Sequence, residues 1–152
     1  MRALTLFEPW ATLCVVGAKQ LETRSWGTPY RGPLAIHVSK KSPPEAMALC
    51  YVEPFFSTLA AAATQLGAFG WHPGCIIGIV ELLACYETGD NEFGGLTDKE
   101  RAFGDYSPGR FAWRLSNPRR LAVPVPCRGN RGLWTVPPEV AVALAQELKR
   151  AG

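Results

Sequence analysis

Cys75-Ile76-Ile77-Gly78-Ile79-Val80-Glu81-Leu82-Leu83-Ala84-Cys85-Tyr86 is the longest strand candidate in the chain, and its reading decides the fold. The run is almost entirely apolar and rich in β-branched residues, as expected of a strand at the centre of a closed or covered sheet. One residue breaks that character. Strict alternation places Ile77, Ile79, Glu81 and Leu83 on one face, so a carboxylate lies among apolar neighbours. Burying an acid is costly unless it is paired or protonated, and Glu81 therefore marks either a structural ion pair or a functional cleft.

Other short strands surround this one. Ala3 to Phe7 precedes a helix over Pro9 to Val16, where Glu8 and Pro9 suit a first turn and Gly17 a left-handed stop. Lys19 to Trp26 and Leu34 to Val38 read as further strands. Beyond Ser42-Pro43-Pro44, the stretch Glu45 to Leu66 has helical composition broken near Pro54, and Gly67 to Gly74 is a loop. Glu87 to Gly109 is polar and long enough for a functional loop or lid, with one helical turn at Asp98 to Phe103. Arg110 to Leu115 and Leu121 to Val125 read as an antiparallel pair across Asn117-Pro118. Leu133 to Val136 then forms a last strand and Pro137 to Lys149 a closing helix. About six irregularly spaced strands with interspersed helices argue against a doubly wound parallel sheet. The expected fold is α+β, a small mixed β-barrel with peripheral helices.

The 152 residues, 47% hydrophobic and 19% charged, suffice for one sizeable core, so residues 1–152 are read as a single domain. A net charge of +3 does not by itself call for nucleic acid, although Lys and Arg gather over Lys19 to Arg31 and Arg110 to Arg131. Five widely spaced cysteines without a CxxC pair, and only two histidines, give no disulfide framework and no metal site. No cofactor motif appears. With no signal peptide and no run of about eighteen apolar residues, no membrane association is expected, and a reducing cytoplasmic setting fits. The oligomeric state is not legible.

A second group of chemistry-bearing residues is Lys19-Gln20-Leu21-Glu22-Thr23-Arg24-Ser25-Trp26. In a strand, Glu22, Arg24 and Trp26 share one face while Leu21, Thr23 and Ser25 take the other. That pattern is either an exposed ion pair beside an edge tryptophan or a cleft in which Lys19 and Arg24 meet an anionic ligand and a ring stacks on a base. Tyr30-Arg31-Gly32 adds a ring, a guanidinium fork and a flexible backbone, or simply a tight turn. Arg128-Gly129-Asn130-Arg131-Gly132 is a basic glycine-rich loop suited to phosphate, without a Walker or Rossmann pattern. Trp10 and His37 read as packing residues, His37 with hydrogen-bonded ring nitrogens.

Glu8-Pro9-Trp10-Ala11, Gly17-x-Lys19-x-x-Glu22-x-Arg24-x-Trp26, Tyr30-Arg31-Gly32, Gly74 to Gly78 leading to Glu81, Phe111-Ala112-Trp113, and Arg128-Gly129 before Leu133-Trp134 together resemble the ASCH domain family over nearly the whole chain. The resemblance implies a PUA-like barrel and binding of RNA, DNA or a nucleotide-like ligand in a central cleft. On this reading Lys19, Glu22, Arg24, Ser25, Trp26, Tyr30, Arg31, Glu81 and Arg128 are the binding residues.

Some family members are amidohydrolases of an acetylated cytidine, with a lysine, a threonine three residues later and a distant glutamate. Carried over, Lys19 and Glu81 match two of the three, and Glu22 stands where the threonine is expected. Were the chain such a hydrolase or a ribonuclease, Lys19, Glu22 and Glu81 would be its catalytic residues. An acid in place of the threonine suits binding better than covalent catalysis. A nucleic-acid or nucleotide-binding module is thus the first reading, a metal-independent hydrolase the second, and a protein-interaction module with a vestigial cleft the third.

Overall fold

A computed structural model of the chain describes residues 1–66, 70–89 and 95–152. Strands β1 (Arg2–Leu6), β2 (Leu21–Arg24), β3 (Gly32–Val38), β4 (Cys75–Glu87), β5 (Phe111–Pro126) and β6 (Leu133–Thr135) form one sheet in the order β2-β5-β4-β3-β1-β6. The β1 and β3 strands run parallel, and every other neighbouring pair is antiparallel. Among the described residues five α-helices accompany the sheet: α1 (Trp10–Val15), α2 (Pro44–Ala48), α3 (Phe55–Leu66), α4 (Asp98–Phe103) and α5 (Pro138–Ala151). No single helix among the described residues is long and apolar enough to cross a membrane.

The sheet curls into a half-barrel because its two faces bury different helices. Leu4, Leu6, Leu34, Ile36, Val38, Ile77, Val80, Leu82, Trp113 and Leu115 point to the concave side, where they enclose Ala11, Cys14 and Val15 of α1. Ala3, Ala35, Ile76, Ile79, Leu121 and Trp134 point outward, beneath Val140, Ala141, Leu144 and Leu148 of α5. The two apolar clusters follow from period-2 alternation in β1 and β3, which is strict. Glu8 anchors the start of α1, its carboxylate accepting from the Thr12 amide (3.1 Å) and hydroxyl (2.8 Å).

Two expectations are corrected here. Alternation is not strict in β4: against β3 the register passes from Ile36↔Gly78 to His37↔Ile76, which leaves Ile77 as an extra, bulged residue. Ile77 consequently packs inward while Ile79 packs outward. An added residue at a bulge rotates everything beyond it by one face. Glu81 keeps the face of Ile79 but joins neither apolar cluster, and its carboxylate meets the Arg119 guanidinium at 3.5 Å with both side chains partly in solvent.

The second correction concerns Asn117-Pro118, which is not a hairpin. Phe111–Pro126 is one strand paired with β4 along its length. Asn117 takes φ 47°, a left-handed conformation that Asn tolerates, and the following proline has no amide to offer the ladder. The kink absorbs an extra residue instead of reversing the chain. The helix expected over Glu45 to Leu66 is broken as anticipated, with a 3-10 turn at Leu49–Tyr51 between α2 and α3. Residues 67–69 of the expected Gly67–Gly74 loop, and 90–94 of the Glu87–Gly109 loop, lie outside the described residues.

A buried hydrogen-bond chain ties the loop after β5 to the outer face. Trp134 Nε1 donates to Thr5 Oγ1 (3.1 Å), that hydroxyl lies 3.1 Å from His37 Nδ1, and His37 Nε2 lies 2.8 Å from the Cys127 carbonyl. A carbonyl only accepts, so Nε2 carries the proton and Nδ1 receives the Thr5 hydroxyl. Burial holds the imidazole below its ordinary value, against the pull of the Cys127 and Gly74 backbone.

Two outcomes are expected. Gly78→Val destabilises the protein by about 1–3 kcal/mol in denaturant unfolding, since overpacking strains a filled core. A Cβ at residue 78 would stand 2.7 Å from Val15 Cγ1 and 2.9 Å from the Arg119 carbonyl. For His37 the unfolded chain binds a proton before the folded one does, so its contribution is complete above about pH 6.5 and is lost as pH falls below that value. The stability gap between wild type and His37→Gln therefore narrows on going from neutral to mildly acidic pH. A gap that stays constant would contradict this assignment.

Candidate functional site

A cleft of about 390 Å³ opens where the end of β1, the first turn of α1, strand β2 and the end of α4 converge. Its apolar part is aromatic. Trp10 meets Phe55 edge-on at 6.5 Å, and Phe55 lies 4.9 Å from Phe103, centroid to centroid. Trp10 is held in place by its indole N–H, which donates to the Phe103 carbonyl at 2.8 Å.

The polar wall is β2. Glu22, Thr23 and Arg24 all line the cleft. Glu22 points inward opposite Trp113, and beneath it the wholly buried Lys19 ammonium lies 3.4 Å from Glu22 Oε1 and donates to the Leu21 carbonyl. Oε1 also accepts the Thr23 amide at 3.0 Å. Both contacts fall on Oε1 among the described residues, and Oε2 faces a donor that enters the cleft. Such pairing is what allows these two charges to sit in the interior, because an isolated charge there is costly.

Arg24 stands at the rim, its guanidinium 5.7 Å above the Trp26 ring, and Trp26 in turn abuts Trp113 edge-on at 4.8 Å. The stacking restrains the guanidinium without occupying its donors.

The opposite rim is the segment after α4. Asp105 N donates to Thr23 Oγ1 (3.0 Å), while Arg110 donates to the Asp105 carbonyl (3.1 Å) and lies 3.5 Å from its carboxylate. Bonds from Ser107, and secondarily the Arg110 charge, hold the Asp105 carboxyl below its ordinary value, so it is ionised at neutral pH. Thr97 caps α4 by accepting the Glu100 amide at 3.1 Å. The sequence Thr97-x-x-Glu100 fits a capping box, yet the Glu100 carboxylate instead takes the Gln20 amide and so fastens α4 beside Lys19. Burial pushes Glu100 up from its ordinary value, opposed by the Gln20 bond and the Lys19 charge.

The expected site residues separate into groups. Lys19, Glu22 and Arg24 come together at the cleft, with Trp26 behind Arg24 as its support and Ser25 exposed beside it. Tyr30 and Arg31 belong to a turn instead: the Tyr30 hydroxyl donates to the Pro33 carbonyl, and Arg31 donates to the Thr28 (2.8 Å) and Tyr30 (2.7 Å) carbonyls. Glu81 lines neither the cleft nor the small pocket on the far side of Lys19, and its ion pair is with Arg119 instead. Arg128 lies in a different pocket, across the sheet.

Trp10, Phe55, Phe103, Asp105 and Arg110 were not anticipated as cleft residues. For Trp10 the signal was present, since a tryptophan next to a proline at a helix start can pack and face a ligand at once. The others come from distant segments with no local pattern. No group of three or more metal-ligating side chains occurs among the described residues. Cys14 is fully buried and its thiol is pushed far up by that burial, so it is no nucleophile.

Comparison with known proteins places this geometry. The profile of the ASCH domain family matches residues 4–125. The chain is 28% identical over 131 residues to activating signal cointegrator 1 of Homo sapiens and 29% identical over 134 residues to that of Mus musculus, in each case covering 86% of this chain. It spans only about a fifth (21%) of the length of those relatives. Among solved structures it resembles the ASCH protein of Zymomonas mobilis, with a TM-score of 0.55 at 13% identity over 95% of this chain and 93% of that one. A tyrosine-to-phenylalanine mutant of that bacterial protein matches equally, over 95% and 96%. At that identity the likeness concerns the fold, the PUA-like barrel expected, here a six-stranded sheet curled into a half-barrel.

Removing one partner of the buried pair leaves an uncompensated charge, so Lys19→Met or Glu22→Gln alone should destabilise by about 3–5 kcal/mol, and the double replacement by less than their sum. Chemical unfolding of the four proteins of that cycle checks it; strictly additive losses would show the pair to be uncoupled.

Proposed function

Because the chain belongs to the ASCH domain family, we propose that it is a nucleic-acid-binding domain whose cleft receives one unstacked base of a single strand. The observation that carries this reading is the juxtaposition, in one cavity, of the Trp10, Phe55 and Phe103 rings with the Glu22 carboxylate and the Arg24 guanidinium. Aromatic faces accept any base by stacking, which is worth about 1–3 kcal/mol per base. Glu22 Oε2 accepts only from a donor, and the exocyclic amino groups of cytosine, adenine and guanine provide one where uracil and thymine offer a carbonyl. Arg24, held over Trp26, takes an adjacent phosphate. A cavity of about 390 Å³ suits one base with part of its sugar and excludes a duplex.

The Lys19 and Glu22 charges cancel one another, and Arg110 is matched by Asp105. Arg24 is thus the cleft's uncompensated cation among the described residues. Binding through this cleft alone depends weakly on salt, with a slope of about −0.7 for one phosphate on a single strand.

Fluorescence anisotropy with labelled homopolymers tests the proposal. Oligo-C and oligo-A are expected to bind more tightly than oligo-U or oligo-T. Trp10→Ala should weaken all of them by about 1–3 kcal/mol, and Arg24→Ala should remove the cleft's share of the salt dependence. Glu22→Gln, examined where it remains folded, should lose the preference for amino-bearing bases. Failure of every homopolymer to bind would refute the proposal.

A further inference from the structure

We infer that the loop Cys127–Gly132, together with Lys40, forms a second anion site that takes a backbone phosphate of the same single-stranded nucleic acid. The inference rests on the binding role proposed for the cleft. A pocket of about 1050 Å³ lies against the outer face of β1 and β3, floored by Thr5 and His37 and walled by Lys40, Arg128, Asn130 and Arg131. Leu6 lines the aromatic cleft and the adjacent Thr5 lines this pocket, so the two open on opposite faces of the same strand end. A strand leaving the cleft passes the half-exposed Phe7 to reach it.

Charge and architecture point the same way. No acidic residue lines the pocket, and the side chains of Lys40, Arg128 and Arg131 enter no ion pair among the described residues. The loop is also prebuilt. The Trp134–Thr5–His37–Cys127 chain fixes its first residue, and the Cys127 amide donates to the Gly74 carbonyl at 3.0 Å. Gly129 lies flat on the imidazole: a Cβ there would stand 2.5 Å from His37 Cε1 and 2.9 Å from Thr5 Oγ1. Only glycine allows so close an approach, and it sets Arg128 and Arg131 on a backbone whose position is already determined. Guanidiniums on a fixed loop suit the fork geometry of phosphate oxygens.

The test is anisotropy with single-stranded oligonucleotides of two and about twelve nucleotides over a salt series, with an Arg128→Ala/Arg131→Ala variant and a control replacing Lys99 and Lys149. The arginine variant should lower affinity for the longer strand about ten-fold and flatten its salt slope by about 1.4, or 0.7 for each cation lost. Dinucleotide binding and thermal stability should not change. Undiminished affinity for the longer strand in this variant, with Arg24→Ala still weakening it, would overturn the second site and leave the cleft standing. An equal loss in the lysine control would show a diffuse charge effect and overturn it too. Were wild type to bind neither length, the cleft reading would fall, and this inference with it.

Discussion

The Lys19–Glu22 pair is the constraint on which the site depends. Lys19 leaves the turn that ends α1, buries its whole side chain, and meets a carboxylate projecting inward from β2. The pair thereby locks the helix that fills the half-barrel to the edge strand that walls the cleft. Neither charge is tolerable there alone, and their separation by three residues across a turn makes the pairing local. Glu22 is held with one oxygen engaged and its side chain on the cleft wall, which is the preorganisation a recognition group needs.

The rest of the cleft follows from how other segments reach this wall. Asp105 binds Thr23, Glu100 binds the Gln20 amide, and Trp10 binds the Phe103 carbonyl, so the α4 segment is stitched to both β2 and α1. Each stitch pairs a side chain with a backbone group of another segment. The aromatic trio gathers because those stitches bring Phe103 beside Phe55, which itself meets Trp10.

Much of this was legible in the residues. Strong periodicity gave the central strand, the strands β1 and β3 though not their parallel pairing, and the helices opened by proline, and the Lys19 to Trp26 run identified the polar wall. The reading failed where a residue was added or a contact was long-range. Alternation in β4 was extended through a bulge that no residue type announces, which put Ile77 on the wrong face, while Glu81 keeps the face of Ile79 and meets Arg119 in an ion pair. Asn117-Pro118 carries turn chemistry, yet pairing of both flanks with β4 prevailed over the local preference for reversal. Tyr30 and Arg31 satisfy their own turn, which spacing alone does not distinguish from ligand binding. Phe55, Phe103 and Arg110 lie far from Glu22 in sequence and are united with it only by tertiary packing.

The central claim is that a base enters the cleft beside Trp10 and Glu22. Its most direct test is an amide and indole NMR titration of the protein with a short cytosine-containing single strand. The account predicts saturable shifts of the Trp10 indole N–H and of the Thr23, Gly104 and Asp105 amides. Shifts confined to the exposed Tyr51, Phe56 and Trp71 surface beside α3, or none at the Trp10 indole at saturation, would contradict it.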